Sequence, residues 1–149
     1  MADTPAKKPQ TMREWLETYR SRFEDAIPKN TIDVGRFITA AALEITNSPK
    51  LMRCSQHSLM RSLIESARYG LEVGRLLGQA WLIPYNDTVT LQDGSRHKEM
   101  TCHFQMGYKG LIVLARRSAT IKTITAEIVY ENDIIDVELG EGRHLTHKI

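Results

Sequence analysis

Apolar residues recur at helical spacing in three segments of the first half of the chain. The first segment begins with a capping-box pattern at Thr11 and Glu14, and its apolar positions continue to about Ala26. The predicted bounds of the other two helices are Thr31 or Asp33 to Asn47, and Ser55 or Ser58 to Tyr69. The pattern therefore predicts a helical N-terminal half.

Short apolar runs separated by turn residues predict strands in the second half of the chain. The predicted strands span residues 79–85, 99–106, 121–130 and 134–139. Between the first two, the polar segment 87–98 is expected to form a loop with a turn at Asp93-Gly94. Gly70, Gly74 and Gly78 match neither a dinucleotide-binding turn nor a phosphate loop, so they indicate a tight helix-to-strand connection. The expected fold class is α+β: N-terminal helices followed by a small, mostly antiparallel sheet with a basic helix packed on it.

That basic helix, from about Gly107 to Ser118, carries the most informative chemistry. At about 100° per residue, one side collects the apolar residues Tyr108, Leu111, Ile112, Leu114 and Ala115. Lys109 and Arg116 lie on the opposite side with Arg117 close by, and their seven-residue separation puts their Cα atoms about 10 Å apart. Residues 100–126 contain no acid, and the nearby glycines allow another backbone to approach. The pattern is compatible with a phosphate-binding element, but the chemistry alone favours a solvated face of an ordinary amphipathic helix, which is the commoner cause of such a pattern.

Composition and charge set broader limits. The 149 residues are 42% hydrophobic and 26% charged, as in a globular domain, and the net charge of +2 does not identify a nucleic-acid binder. The first ten residues are polar and predict a disordered leader without a secretory signal, and no apolar run is long enough to span a bilayer. Two cysteines fit a reducing compartment, so a cytoplasmic protein is expected.

Catalytic patterns are weak. Cys54-x-x-His57 and Cys102-His103 offer zinc ligands, but the spacing of the second pair does not fit a zinc finger or knuckle. The scattered aspartates have no spacing that marks a metal-dependent nuclease, which stays open as an alternative because a sequence does not show spatial clustering. There is no Walker lysine for ATP-driven chemistry. We therefore expect a binding protein rather than an enzyme.

Residues 127–142 contain six acids and no base. An acid-rich hairpin near a base-rich helix suggests a complementary surface between copies of the chain, or a coincidence of composition. A structural oligomerisation module, in which the basic ridge of one copy docks on the acidic hairpin of the next, is therefore a second hypothesis.

A series of short sequence blocks covers most of the chain, from about Thr31 to Lys148. The blocks are Tyr69-Gly70-Leu71-Glu72-x-Gly74, Leu77 to Tyr85, Gln105-x-Gly107 to Ile112, Leu114 to Ser118, Val129 to Asp133 and Glu138-Leu139-Gly140. Their order resembles the RecT family of phage-type single-strand annealing recombinases, with small departures at Val73, Val113 and Ala119. Family members continue well beyond Ile149, so the resemblance implies that residues 11–149 form a single, C-terminally incomplete RecT-like DNA-binding domain.

The resemblance also implies a function. Such a protein coats single-stranded DNA without ATP, self-associates into rings or filaments, and anneals the bound strand to its complement during homologous recombination. No cofactor is implied, and a divalent cation is an optional aid to annealing. A phage exonuclease is the implied protein partner, through a region missing here, and no membrane is involved.

Under this hypothesis the DNA contacts are assigned residue by residue. Lys109, Arg116 and Arg117 are the expected phosphate contacts, Arg75 and Lys122 are further candidates, and Gln105 is a candidate hydrogen-bond partner of a phosphate. Tyr108 and Trp81 are candidates for stacking on bases, although burial in the core is the expected fate of both.

Overall fold

The computed structural model describes residues 11–90, 94–138, 140 and 144–149. The expected leader at residues 1–10 and Asp93 of the expected turn lie outside the described residues. The helices are α1 (Met12–Glu17), α2 (Arg20–Ala26), α3 (Val34–Thr46), α4 (Gln56–Tyr69) and α5 (Tyr108–Arg117), with a 3-10 turn at Leu51–Arg53. The strands are β1 (Ala80–Thr90), β2 (Arg96–Met106), β3 (Ile134–Glu138) and β4 (His144–Lys148). N-terminal helices followed by antiparallel strand pairs confirm the α+β prediction.

The predicted capping signals set the start of two helices. The Thr11 hydroxyl accepts a hydrogen bond from the Glu14 amide at 3.1 Å, and the Glu14 carboxylate accepts one from the Thr11 amide at 3.2 Å. Asp33 likewise accepts from the Arg36 amide at 2.8 Å and opens α3. The predicted single helix from Thr11 to Ala26 is wrong in one respect. It is divided at Thr18 and Tyr19, since Tyr19 has the non-helical angles φ −106° and ψ 11°.

The end of α4 and the start of β1 are joined by the glycine-rich connection that the sequence predicts. Gly70 follows α4 with φ 58°, a left-handed conformation that ends a helix at little cost only for glycine. Gly74 and Gly78 also have positive φ, so the connection turns sharply at both.

One hydrophobic core lies among α1 to α4 and the first part of the β1–β2 ribbon. Its fully buried side chains include Leu16, Phe23, Phe37, Ile38, Ile45, Leu59 and Leu63. Two buried serines attach α4 to β2: the Cys102 amide donates to Ser58 Oγ at 2.9 Å, and Ser62 Oγ donates to the Cys102 carbonyl at 2.7 Å. Helix side chains thus satisfy backbone groups at an edge of the ribbon, as burial requires.

The β1–β2 ribbon is longer than predicted. The antiparallel register extends from Ala80 opposite Met106 to Thr90 opposite Arg96, so the prediction of a loop over 87–98 is wrong for most of that segment. The outer part of the ribbon is largely exposed, and apolar content was therefore a poor guide to where the strands end. β-branched Thr88, Val89 and Thr90 suit an exposed strand.

The C-terminal segment departs most from prediction. Residues 121–130 have no regular secondary structure and are all exposed, so the strand predicted there is wrong. A β-strand needs a neighbouring strand to pair its backbone N–H and C=O groups, and the apolar pattern of a segment does not show whether such a neighbour exists. β3 is confirmed over Ile134–Glu138, and Leu139 lies outside the described residues. Its partner β4 was missed because His144–Lys148 is largely polar.

Candidate nucleic-acid interface

α5 is positioned by two glycines that contact the connection before β1. The Gly107 amide donates to the Gln79 carbonyl at 2.9 Å. A Cβ atom on Gly107 would lie 2.3 Å from the Gly78 carbonyl oxygen, and one on Gly110 would lie 2.3 Å from that of Gln79. The backbone that approaches these glycines is therefore the chain's own. The glycines place the helix, and they need no DNA contact to explain them.

The buried side of α5 matches the predicted one only in part, at Leu114. Gly110 is buried, and Val113 and Leu114 pack against the core. Tyr108 and Leu111, predicted on the apolar side, are 69% and 58% exposed. The glycine contact rotates the helix so that Gly110, Val113 and Leu114, at the i, i+3, i+4 spacing, face inward.

Lys109 and Arg116 form the exposed cationic pair that the spacing predicts. Both are exposed, and at about 100° per residue they lie within about 20° of each other around the helix. Within the described part of the chain, neither has a carboxylate oxygen within 4.0 Å. The Lys109 side chain extends past Gly78, since a Cβ built on that glycine lies 3.5 Å from Lys109 Cδ and 4.0 Å from Nζ. Both charges are available to an anion in solvent.

Arg117 does not join this pair. Its guanidinium donates to the carbonyl of Tyr69 and, at 2.7 Å, to that of Gly70, at the end of α4. Arg117 is seven positions after Gly110 and therefore falls on the inward side of α5, about 100° from Arg116. The guanidinium satisfies carbonyls that a helix end leaves unpaired. A phosphate would have to compete with these hydrogen bonds. The DNA contact by Arg117 therefore stays a prediction, and the alternative is that Arg117 only stabilises the end of α4.

Three other candidates lie near α5. Gln105 is exposed on β2 directly opposite Trp81 of β1, three residues before α5 begins at Tyr108. The Trp81 indole is half-buried, with Nε1 3.0 Å from the position of a Cβ on Gly107. Burial of Tyr108 was expected and is wrong, since the first turn of α5 exposes this ring next to Lys109. The exposed ring is available to stack on a base.

Arg75 and Lys122 lie outside α5, in the connection before β1 and in the segment after α5. Arg75 is exposed in the turn after Gly74 and lines a shallow cavity of about 310 Å³ with Glu44 and Glu72. No residue of α5 lines that cavity. Lys122 is exposed in the irregular segment 121–130. The structure therefore places Lys109, Arg116 and Tyr108 on α5 and Gln105 just before it, whereas Arg75 lines a cavity to which α5 contributes no residue.

The two cysteines considered as zinc ligands lie in the hydrophobic core. Cys54 and Cys102 are buried, and burial raises the pKa of both thiols, that of Cys102 to about 11. Across the described residues, His, Cys, Asp and Glu side chains do not gather in groups of three or more suited to a metal ion. No helix in this part of the chain is both long and apolar enough to cross a membrane.

Two close histidine–aspartate pairs within the described residues were not anticipated. His103 Nε2 lies 2.7 Å from Asp87 Oδ2, and hydrogen bonds from Thr101 and then His103 lower the pKa of Asp87. His147 Nε2 lies 2.9 Å from Asp133 Oδ2. Thr101 and His103 share a face of β2 because they are two positions apart, but their contact with Asp87 depends on strand register, which the sequence does not show.

These features define an α+β fold in which α5 presents to solvent two cations, Lys109 and Arg116, that have no acidic partner among the described residues. The RecT family model matches residues 35–148. The chain belongs to the RecT family.

Two curated proteins show the same relationship. Protein RecT of Escherichia coli (strain K12) is 32% identical over 123 residues, which are 83% of this chain and 44% of that protein. The uncharacterized protein YqaK of Bacillus subtilis (strain 168) is 28% identical over 114 residues, or 76% of this chain and 34% of that protein. The chain thus spans less than half the length of these relatives.

Proposed function

We propose that this chain binds single-stranded DNA through α5 and promotes annealing of the bound strand to its complement, without ATP, in homologous recombination. The observation that carries the proposal is the pair Lys109 and Arg116, both exposed, both unpaired within the described part of the chain, and aligned on one side of a helix. Membership of the RecT family supports it.

The chemistry of this surface suits binding that does not depend on sequence. Cations bind phosphates by attraction and by releasing condensed counterions, which gives affinity that falls steeply with salt. Contacts to the backbone leave the base edges free to pair with a second strand. The exposed Tyr108 ring adds stacking, which every base accepts.

The test is the double substitution Lys109→Gln with Arg116→Gln, measured by fluorescence anisotropy of a labelled oligonucleotide over a range of salt concentrations. We expect a loss of up to about 1.5–3 kcal/mol per charged hydrogen bond at low salt. The slope of log affinity against log salt should fall by about 0.7 for each lost phosphate contact. Arg13→Gln with Arg53→Gln is the matched control, since it removes two exposed arginines from outside α5. Equal affinity and slope for wild type and the α5 variant would contradict the proposal.

The finer properties of the activity are part of the same proposal. We expect the chain to self-associate on DNA in rings or filaments, to need no cofactor, and to anneal at a rate that a divalent cation increases. An exonuclease is the expected protein partner. Annealing assays on this chain, without ATP and with or without Mg²⁺, test the cofactor points, and sedimentation with and without an oligonucleotide tests self-association.

A structural oligomerisation module remains the second candidate. It is favoured by the exposure of both surfaces it needs: Lys109 and Arg116 on α5, and acids such as Glu131, Asp136 and Glu138 in and before β3. This candidate predicts that the α5 double variant changes the sedimentation coefficient of the DNA-free protein and leaves oligonucleotide affinity unaltered.

A further inference from the structure

A cleft along α4 contains a second set of cations that the α5 site does not include. The cleft has a volume of about 680 Å³, and its charged lining residues are Arg22 from α2 and Arg61, Glu65 and Arg68 from α4. An adjoining depression of about 520 Å³ shares Arg22 and Arg68 and adds Asp25. Neither cavity is lined by Lys109 or Arg116.

These three arginines lack acidic partners. Within the described part of the chain, no carboxylate oxygen lies within 4.0 Å of Arg22, Arg61 or Arg68, although Glu65 and Asp25 belong to the same walls. Like charges around one cavity repel each other, so an anion bound between them lowers the free energy of the folded protein. An arginine guanidinium also binds phosphate in a bidentate geometry, and three of them around one cleft favour a phosphate ligand.

The arrangement of the cleft suits an extended phosphate chain rather than one small anion. Arg61 and Arg68 are seven positions apart on α4, as Lys109 and Arg116 are on α5, which spaces their Cα atoms about 10 Å along one side of the helix. Tyr69 also lines the cleft; the residue is 41% exposed, and its ring stacks on that of Phe104 at a centroid distance of 5.8 Å and an interplanar angle of 14°. A held, accessible ring beside cations is the combination that binds single-stranded nucleic acid.

The cleft and α5 are connected at one point. Arg117, at the end of α5, donates to the carbonyl of Tyr69, which lines the cleft. The two cationic pairs therefore lie on separate helices whose C-terminal ends are joined. Annealing brings two polyanions side by side, and their repulsion falls when each backbone has its own cations.

We propose that the α4 cleft binds the phosphate backbone of the second, complementary strand while α5 holds the first. This inference rests on the proposed function. The cleft has its effect when the second strand arrives, so it contributes to the rate of annealing more than to the affinity for a single strand.

The experiment compares the double variant Arg61→Gln/Arg68→Gln with wild type, both as the full chain. Circular dichroism first confirms that the variant and the wild type are folded. Affinity for a labelled oligonucleotide and the annealing rate of its complement, followed by energy transfer between two dyes, are measured in parallel. We expect first-strand affinity within about twofold of wild type and an annealing rate at least tenfold lower. Glu65→Gln, which removes the acid from the same wall, should raise the annealing rate. Arg13→Gln with Arg53→Gln removes two arginines from elsewhere and should leave it unchanged.

Each other result overturns the inference in a distinguishable way. An annealing rate equal to wild type means that the cleft does not bind the second strand. A loss of first-strand affinity as large as that of the α5 double variant means that both surfaces bind one strand. If annealing is intact but sedimentation shows altered self-association, the cleft binds the acid-rich segment 127–142 of another copy of the chain instead of DNA. A wild-type chain that neither binds nor anneals DNA overturns the proposed function itself.

Discussion

Residues 11–118 and residues 119–149 are held together in different ways. The first region buries a hydrophobic core that includes Leu16, Phe37 and Leu63. Among the described residues from 119 onward none is buried, and apolar side chains such as Ile128 and Tyr130 are 73% and 64% exposed. Burial of apolar surface dominates the stability of the first region, whereas the second depends on strand pairing and polar contacts. Substitutions that are chemically alike should therefore have very different effects in the two.

The largest expected difference comes from truncating one apolar side chain in each region. Phe37 is fully buried and packs against Phe23 at a ring-centroid distance of 5.2 Å, so Phe37→Ala should lower the free energy of unfolding by about 3–5 kcal/mol. Ile128→Ala, at an exposed position, should change it by less than about 0.5 kcal/mol. Urea titration followed by circular dichroism measures both. If both substitutions lowered the free energy of unfolding by similar amounts, the side chain of Ile128 would have to be buried in solution, contrary to its exposure in the structure.

Two glycines provide the next test. Gly110→Ala places a Cβ against the Gln79 carbonyl, and the resulting displacement of α5 should cost about 1–3 kcal/mol even though alanine favours a helix. Gly140→Ala meets nothing within 4 Å and should be neutral or slightly stabilising. Thermal unfolding measures the difference. Oligonucleotide affinity should fall only for Gly110→Ala, because that change moves Lys109 and Arg116.

The features that the sequence predicted correctly are mostly in the first region, and those that it did not predict are mostly in the second. Caps at Thr11 and Asp33 and the glycine end of α4 are local signals, because each is set by residues within one turn of the helix. The failed strand at 121–130 and the missed β4 depend on pairing partners, which are not local. The candidate site divides likewise. The spacing of Lys109 and Arg116 is local, whereas the contact of Arg117 with the Tyr69 carbonyl joins residues 48 positions apart.

Neighbouring arginines sharpen this point. Arg117→Gln removes two hydrogen bonds from a charged group to the end of α4 and should lower the free energy of unfolding by about 1–3 kcal/mol. Arg116→Gln removes an exposed charge and should leave stability within about 0.5 kcal/mol of wild type while it weakens oligonucleotide binding. Chemical unfolding and anisotropy on the same two variants separate the roles. If both variants lose affinity equally and neither loses stability, Arg117 is a phosphate contact as its position beside Arg116 first indicated.

The smallest expected effect is a local pH dependence in the second region. His147 donates a hydrogen bond to the Asp133 carboxylate, and this contact, with a weaker one to the Glu127 carboxylate, raises the pKa of His147 above its ordinary value of 6.5. Hydrogen bonds from the Tyr130 amide and then His147 lower the pKa of Asp133 below 3.8. A raised histidine pKa contributes stability that is complete below the unfolded value and is lost as pH rises through the folded value. The lowered carboxyl pKa contributes stability that is lost only as pH falls through the folded value.

The β3–β4 ribbon should therefore be best ordered between these limits, in mildly acidic solution, and should lose order as the pH rises above the raised pKa of His147. Amide exchange of residues in β3 and β4, corrected for the intrinsic effect of pH, measures this order, and the imidazole resonances of His147 report its titration. In His147→Gln the dependence on the alkaline side should disappear, while the exchange of core amides in α3 and α4 should be the same as in wild type. A His147 that titrates at or below 6.5 would show that its contact with Asp133 does not persist in solution, and the second region would then depend on strand pairing alone.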